Sequence, residues 1–217
     1  MEEQQARVLV CEAGRRLLKE NLVVGTWGNV SIRLTKNEMI ISPGGLRYED
    51  LEPGDLVKVN IETLDYKGSN KPSSEKNLHA SIYKDRKNIN AIIHTHQQNA
   101  STLAAARRKL PPVLDDLAQV VGPDVRVADY APSSSVAIAK NTVKALRGRM
   151  AAFMANHGAV CLGRNMDEAF IVAQVLEKAC KTYIEAEFIG GAKKIGKFDA
   201  LFMHQYYLRK YSKQQKK

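Results

Sequence analysis

The chain has 217 residues, 44% of them hydrophobic, which is enough for one substantial core and makes a single domain the expectation. Its formal charge is +10, but Arg209, Lys210, Lys213, Lys216 and Lys217 crowd into the end of the chain and leave a moderate basic bias elsewhere. No apolar run approaches the roughly 20 residues of a membrane-spanning helix, so a span is excluded, and the lack of a Cys-x-x-Cys pair, a P-loop or a dinucleotide fingerprint implies neither a zinc knuckle nor a nucleotide site.

The polar, acidic start Met1-Glu2-Glu3-Gln4-Gln5 lacks the features of a signal peptide, so a cytoplasmic protein is expected. Ala6, Leu9, Val10, Ala13, Leu17 and Leu18 recur at helical spacing and predict an amphipathic helix from Gln5 to Asn21. Val30, Ile32 and Leu34 alternate with Ser31 and Arg33, the pattern of a strand with one buried face. Short strands are predicted at Met39–Ile41, stopped by Ser42-Pro43-Gly44-Gly45, and at Leu56–Ile61. A capped helix is expected to start near Ser73, carrying Leu78, Ile82 and Tyr83. Ala91-Ile92-Ile93 reads as a buried strand running into His94, followed by a helix from about Asn99 to Arg108 that Pro111-Pro112 breaks. Strands Ala151–Ala155 and Ala159–Leu162 meet at a turn, Asn156-His157-Gly158, in which Gly158 allows a sharp bend and Asn156 tolerates the left-handed region. Asp167 caps a long helix reaching about Phe188 and ended by Gly190-Gly191. The interleaving makes the class α/β, with helices covering a central sheet. Cys11, Cys161 and Cys180 sit among apolar neighbours and read as reduced core thiols, and the basic tail from about 209 reads as a flexible end.

His94-Thr95-His96 at the end of a buried strand is the strongest local feature. Residues two apart in an extended chain share a face, so both imidazoles can meet one ion. The other reading is one core histidine bonded to backbone and one exposed. His157 is either a third ligand or a solvent-facing turn residue. Glu75, in a first helical turn, is a fourth partner or simply a carboxylate favoured by the helix dipole. His79 lies one turn beyond Glu75 on the same face and is read as core or as support for the site, and His204 as an ordinary surface residue. Gly25-Thr26-Trp27-Gly28-Asn29, Ser42-Pro43-Gly44-Gly45 and Ser73-Ser74 are anion-binding candidates, because glycines let amides converge and hydroxyls at a helix start add donors. Each is also an ordinary turn or cap.

Taken together, Gly25-Thr26-x-Gly28-Asn29-x-Ser31, Ile41-Ser42-Pro43-Gly44-Gly45, Lys71-Pro72-Ser73-Ser74-Glu75, His94-Thr95-His96 and Asn156-His157-Gly158 resemble the ordered motifs of the class II aldolase and adducin head family, with L-fuculose-phosphate aldolase nearest in pattern. The resemblance runs from the first helix to about Phe188. It implies a three-layer α/β/α domain with a largely antiparallel central sheet, assembled as a homotetramer with active sites between subunits. It also implies zinc on His94, His96 and His157, and a carboxylate, Glu75, that ligates the metal in the empty site and moves a proton in the occupied one. Gly28, Asn29, Ser42, Gly44, Ser73 and Ser74 match the family's phosphate pocket. Adducin-type heads lack the full metal set that this chain retains, which favours an enzyme.

The activity so implied is cleavage of a ketose 1-phosphate, similar to L-fuculose 1-phosphate, to dihydroxyacetone phosphate and an aldehyde. The divalent cation stabilises the charge developing beside the carbonyl, with zinc expected first and manganese, cobalt or ferrous iron also suited to the donor set. Glu75 moves the proton at the carbon next to the carbonyl, for which its pKa is expected to be raised in the metal-free pocket or tuned by the metal. A sugar-phosphate 4-epimerase, a methylthioribulose-phosphate dehydratase or a decarboxylase of the same superfamily shares these motifs, and a basic, non-catalytic interaction module is the reading from another class. One departure stands out. Where the family's tyrosine from a neighbouring subunit protonates the departing aldehyde oxygen, this chain aligns Asp115, which together with Asp116 also suits the cap of a helix over Leu117–Val121. Tyr130, Tyr206, Tyr207 and Tyr211 are the substitute donors.

Overall fold

The computed structural model describes residues 1–214, with side chains through Lys210. Eight strands form one sheet: β1 (Asn29–Arg33), β2 (Glu38–Ile41), β3 (Val57–Asn60), β4 (Tyr66–Lys67), β5 (Ala91–Thr95), β6 (Val127–Ala128), β7 (Ala151–Met154) and β8 (Gly158–Gly163). Their order is β4-β3-β2-β1-β5-β8-β7-β6, antiparallel throughout except for the parallel β6–β7 pair. Six helices flank it: α1 (Glu3–Lys19), α2 (Lys76–Asp85), α3 (Gln98–Ala105), α4 (Val136–Ala145), α5 (Met166–Phe188) and α6 (Lys197–Gln214). The class is the α/β arrangement with a mostly antiparallel sheet that the sequence predicts.

Strands β5, β7 and β8 are buried along their whole length, so β7, β8 and the Ala91–Ile93 stretch of β5 read as apolar runs where β3 alternates. Ile92, Ile93, Phe153 and Leu162 are wholly inaccessible, each contributing about 1.5–3 kcal/mol by burial. The three cysteines are buried and unpaired, and burial raises the pKa of each thiol, as suits inert core groups. Among the described residues no helix is long and apolar enough to cross a membrane.

Several expectations need correction. α2 starts at Lys76, two to three residues later than predicted, because Ser73 and Ser74 form a turn in which the Ser73 hydroxyl accepts the Glu75 N–H. Asn165, and not Asp167, caps α5, its side chain accepting the Glu168 N–H at 2.8 Å. α4 and α6 lie where no helix was read. α6 carries the chain through Gln214, so the tail expected to be flexible from about 209 is in part the last turns of a helix. The side chains of Tyr211 and Lys213, and Lys216 and Lys217 altogether, lie outside the described residues. His204 is 3% exposed and no surface residue: α6 packs on the π-helical turn Leu117–Val121, and His204 Nδ1–H donates to the Gln119 carbonyl at 2.7 Å. Burial lowers its pKa, a cost the carbonyl contact only partly offsets.

Candidate metal centre and active site

The site lies at one end of the central strands, where three pieces of chain distant in sequence are held in register. Asn29, the first residue of β1, pairs with His94 of β5, and His94 pairs in turn with Val160 of β8. His157 occupies the turn joining β7 and β8, its N–H donating to the Met154 carbonyl at 3.0 Å. Asn156 takes the left-handed conformation there, with φ 56°. Gly158 plays a different part from the one its sequence position suggests. Its backbone is not left-handed, but a Cβ would run into the Thr95 carbonyl of β5, so glycine is needed for the close approach of two strands.

His94, His96 and His157 converge. His94 Nε2 stands 2.9 Å from His96 Nε2 and 3.3 Å from His157 Nε2, and the three rings pack edge to face with centroids 4.6–5.1 Å apart. His94 Nδ1 lies 2.9 Å from the Ala159 carbonyl, which only accepts, so this nitrogen carries a hydrogen and Nε2 is the atom turned to the cluster. The His96 N–H donates to the Leu22 carbonyl at 2.9 Å, fixing the chain just past β5. Burial, reinforced by the neighbouring imidazoles, lowers the pKa of His96 to about 3 and that of His157 in the same direction. These rings are therefore neutral, the form that ligates a metal.

Glu75, 5% exposed, reaches the same point from just before α2. Its Oε2 accepts the Asn29 side-chain N–H at 2.9 Å and lies 3.2 Å from His94 Nε2. Its Oε1, 3.7 Å from His157 Nε2, is buried without a hydrogen-bond partner. A buried carboxylate oxygen and three imidazole nitrogens facing one another are a donor set that fits a cation. Burial pushes the Glu75 pKa up, but His94, the Asn29 amide, His157 and His79 together outweigh it and the net shift is downward. The expectation of a raised carboxyl in the metal-free pocket is thus not met, because the polar neighbours override desolvation.

Beside the histidines a cleft of about 250 Å³ is lined by Gly28, Asn29, Gly44, Ser73, Ser74 and Glu75, among others. Ser42 does not line it: this hydroxyl accepts the Val30 N–H at 3.2 Å, and the Ser42 carbonyl accepts the Ser73 N–H at 3.0 Å, so Ser42 braces the cleft from behind. The Gly44 N–H faces the Lys71 carbonyl at 3.2 Å. Trp27 lines the cleft from the glycine loop named as an anion-binding candidate, whereas Ser133, from the segment before α4, escaped the sequence reading. Pro132-Ser133-Ser134-Ser135 ahead of Val136 and Ile138 is a helix-start signal, and Ser135 does cap α4, accepting the Ile138 N–H. His96 and His157 also border a second opening of about 380 Å³, together with Val24, Trp27 and Asn156.

The remaining candidates stand apart. Asp115 is exposed and borders neither opening. Asp116 accepts the Leu117 N–H at 2.9 Å and pairs with Lys178, the capping role anticipated for one of the two aspartates. Tyr130 and Tyr206 are 58% and 47% exposed, whereas Tyr207 is largely buried. A larger cavity of about 490 Å³ between α1 and α5 is lined by Arg16, Arg33 and Arg164, but these already pair with Glu20, backbone carbonyls and Glu168 respectively.

The family model described as Class II Aldolase and Adducin N-terminal domain matches residues 8–184. Over 191 residues the chain is 34% identical to the 5-deoxy-D-ribulose 1-phosphate aldolase of Bacillus thuringiensis serovar kurstaki, an alignment covering 88% of this chain and 89% of that one. It is 32% identical over 172 residues to the 5-methylthioribulose-1-phosphate/5-deoxyribulose-1-phosphate aldolase of Rhodospirillum rubrum, covering 79% and 77% of the two chains. The solved structure of an L-fuculose 1-phosphate aldolase matches with a TM-score of 0.90 at 32% identity, over 94% of this chain and 96% of that one.

Proposed function

The chain belongs to the Class II Aldolase and Adducin N-terminal domain family, and from that premise we propose that it is a metal-dependent aldehyde-lyase that cleaves a deoxyketose 1-phosphate to dihydroxyacetone phosphate and an aldehyde. The observation that carries this reading is the convergence of three imidazoles beside a buried, unpartnered oxygen of Glu75. The names of the relatives favour 5-deoxyribulose 1-phosphate as first substrate to test, ahead of L-fuculose 1-phosphate.

In this scheme His94, His96 and His157 hold the cation, with Glu75 as a further ligand when substrate is absent. Zinc suits three nitrogens and a carboxylate best, and manganese, cobalt or ferrous iron are the alternatives. The bound cation supplies Lewis-acid stabilisation of the charge that develops beside the carbonyl as the carbon–carbon bond breaks. Glu75 Oε1 moves the proton at the carbon next to the carbonyl. The cleft floored by Gly28, Gly44, Ser73 and Ser74 takes the phosphate, with Asn29 and Ser42 shaping it. Incubating metal-loaded protein with a panel of ketose phosphates and identifying products by mass spectrometry tests the reading. Carbon–carbon cleavage supports it, and an epimerised or dehydrated product of unchanged chain length rejects it.

Ser73→Ala combined with Ser74→Ala removes two hydroxyls from the phosphate end. Binding of the phosphorylated substrate is expected to weaken by about tenfold, from about 0.5–1.5 kcal/mol for each lost contact, with little change for an unphosphorylated analogue. Equal losses for both ligands, read from KM and competitive inhibition, would assign these serines to the turn before α2 instead.

The aldehyde oxygen needs its own proton carrier. Asp115 is exposed in the single chain, so an acid role for it requires a neighbouring copy in the expected homotetramer to bury it against this pocket. Exposed Val24 and Trp27 beside the site, and Tyr130, Val136, Phe198 and Phe202 elsewhere on the surface, supply apolar area for such an assembly. Asp115→Asn is then expected to lower kcat by about tenfold or more, as for loss of a general acid, with metal content and melting temperature unchanged. A preserved kcat would move the role to Tyr130, Tyr206, Tyr207 or Tyr211. A phosphorylated sugar as substrate agrees with the cytoplasmic residence expected of the chain.

A further inference from the structure

Behind Glu75, three buried polar side chains that no step above uses, Tyr83, Ser31 and His79, join Asn29 in one hydrogen-bonded line. Tyr83, Ser31 and His79 are wholly inaccessible and Asn29 is 4% exposed. The Ser31 hydroxyl lies 2.9 Å from Tyr83 Oη and 2.6 Å from His79 Nδ1. His79 Nε2 lies 2.5 Å from Asn29 Oδ1, and Asn29 Nδ2 donates to Glu75 Oε2 at 2.9 Å.

The donor inventory of these groups leaves the line one direction. An ionised Glu75 only accepts, so the Asn29 amide must turn its NH₂ toward it and its oxygen toward His79. That oxygen also only accepts, so His79 Nε2 carries a hydrogen. With the imidazole neutral, Nδ1 is a lone pair, the Ser31 hydroxyl donates to it, and Tyr83 donates to Ser31. The ring is wholly inaccessible and its two nitrogens meet only a hydroxyl and an amide, neither of which carries a charge to pair an imidazolium.

We propose that His79 is a positioning residue, whose Nε2–H form locks the Asn29 amide so that its N–H holds Glu75 Oε2 and leaves Oε1 directed at the histidine cluster. Asn29 thereby acts chiefly on Glu75, where the family resemblance places it in the phosphate pocket. The sequence signal was present in Ser31 and in the placement of His79 one turn beyond Glu75, but the pairing of β1 with α2 that joins them is not readable from spacing. The inference rests on Glu75 as the proton-moving group.

Two substitutions of similar polarity separate positioning from packing. In His79→Gln an amide N–H reaches the Nε2 position and can still donate to Asn29, whereas the shorter His79→Asn ends near Nδ1 and cannot. His79→Asn is expected to lower kcat by about 10–100-fold, the range for partners that orient a site residue, with KM and metal content near those of the wild type. His79→Gln is expected to recover most of that loss. Should both prove poorly folded, Ser31→Ala removes only the donor to Nδ1 and is expected to lower kcat by a smaller factor. Independently, two-bond ¹H–¹⁵N correlation spectra of the metal-free, histidine-labelled full chain, with the His79 signals assigned by their loss in His79→Gln, are expected to show the Nε2–H tautomer. An Nδ1–H tautomer, an imidazolium, an undiminished His79→Asn or equal losses in the two variants overturns the proposal. Absence of wild-type turnover across the ketose phosphates rejects the aldolase reading instead, and the tautomer spectrum then still decides the arrangement of the line.

Discussion

His94→Ala and His96→Ala protein are each expected to lose the divalent ion, about one per chain in the wild type, and to lose the lyase activity with it. The expectation comes from the geometry of the cluster. His94 Nε2 lies centrally, within 3.3 Å of both other imidazole nitrogens and 3.2 Å from Glu75 Oε2. Removing it takes away the central donor and leaves two imidazoles, one short of the three protein ligands of a catalytic zinc once Glu75 is given over to proton transfer. His94 is fully buried, so its truncation also opens a cavity. His96 sits just beyond β5 and is less enclosed, which makes His96→Ala the cleaner variant for separating metal loss from instability. Metal content by mass spectrometry, melting temperature and turnover, measured on the same preparations, check the expectation. Full metal occupancy in both variants would remove these histidines from the site.

Glu75→Gln is expected to behave in the opposite way, keeping metal and fold while kcat falls by about 10²–10⁴, the range for loss of a general base. The structure explains why this exchange is tolerated. A glutamine turns its carbonyl oxygen toward the Asn29 N–H, replacing Oε2, and its NH₂ then occupies the position of Oε1, which has no hydrogen-bond partner to lose. The amide fits, but it has no basic lone pair to move a proton. Unchanged turnover would dismiss Glu75 from the proton transfer, and a loss of metal equal to that of His96→Ala would make it chiefly a ligand.

How far the site was legible in the sequence depended on the range of the interactions that build it. His94 and His96 share a face because of the two-residue period of a strand, and Asn156 takes the left-handed conformation that its short amide tolerates, both of which are local properties. The role of Gly158 was misread because its constraint is a carbonyl of β5, on another strand. Ser42 looked like a phosphate donor in a glycine turn, yet its hydroxyl accepts the N–H of Val30, a β1 residue twelve positions earlier, and stands off the lining of the cleft. The Glu75 pKa went in the unexpected direction for the same reason, since Asn29, His94 and His157 reach it only through the sheet. α6 was missed because Phe198, Leu201 and Phe202 lie on its exposed face while His204 is buried with Ala200 and Tyr207, which blurs the usual amphipathic pattern.

The strand register carries a consequence for how the protein reaches its active form. His94 is tied to Ala159, 65 residues away, and Glu75 to Asn29, 46 residues away, so no ligand set exists until β1, β5 and β8 have paired. Closing such long loops comes before the contacts that reward it, which places the cation late in folding. A divalent cation taken up by this cluster is then expected to stabilise the native state by mass action and to leave the refolding rate nearly unchanged, slowing unfolding instead.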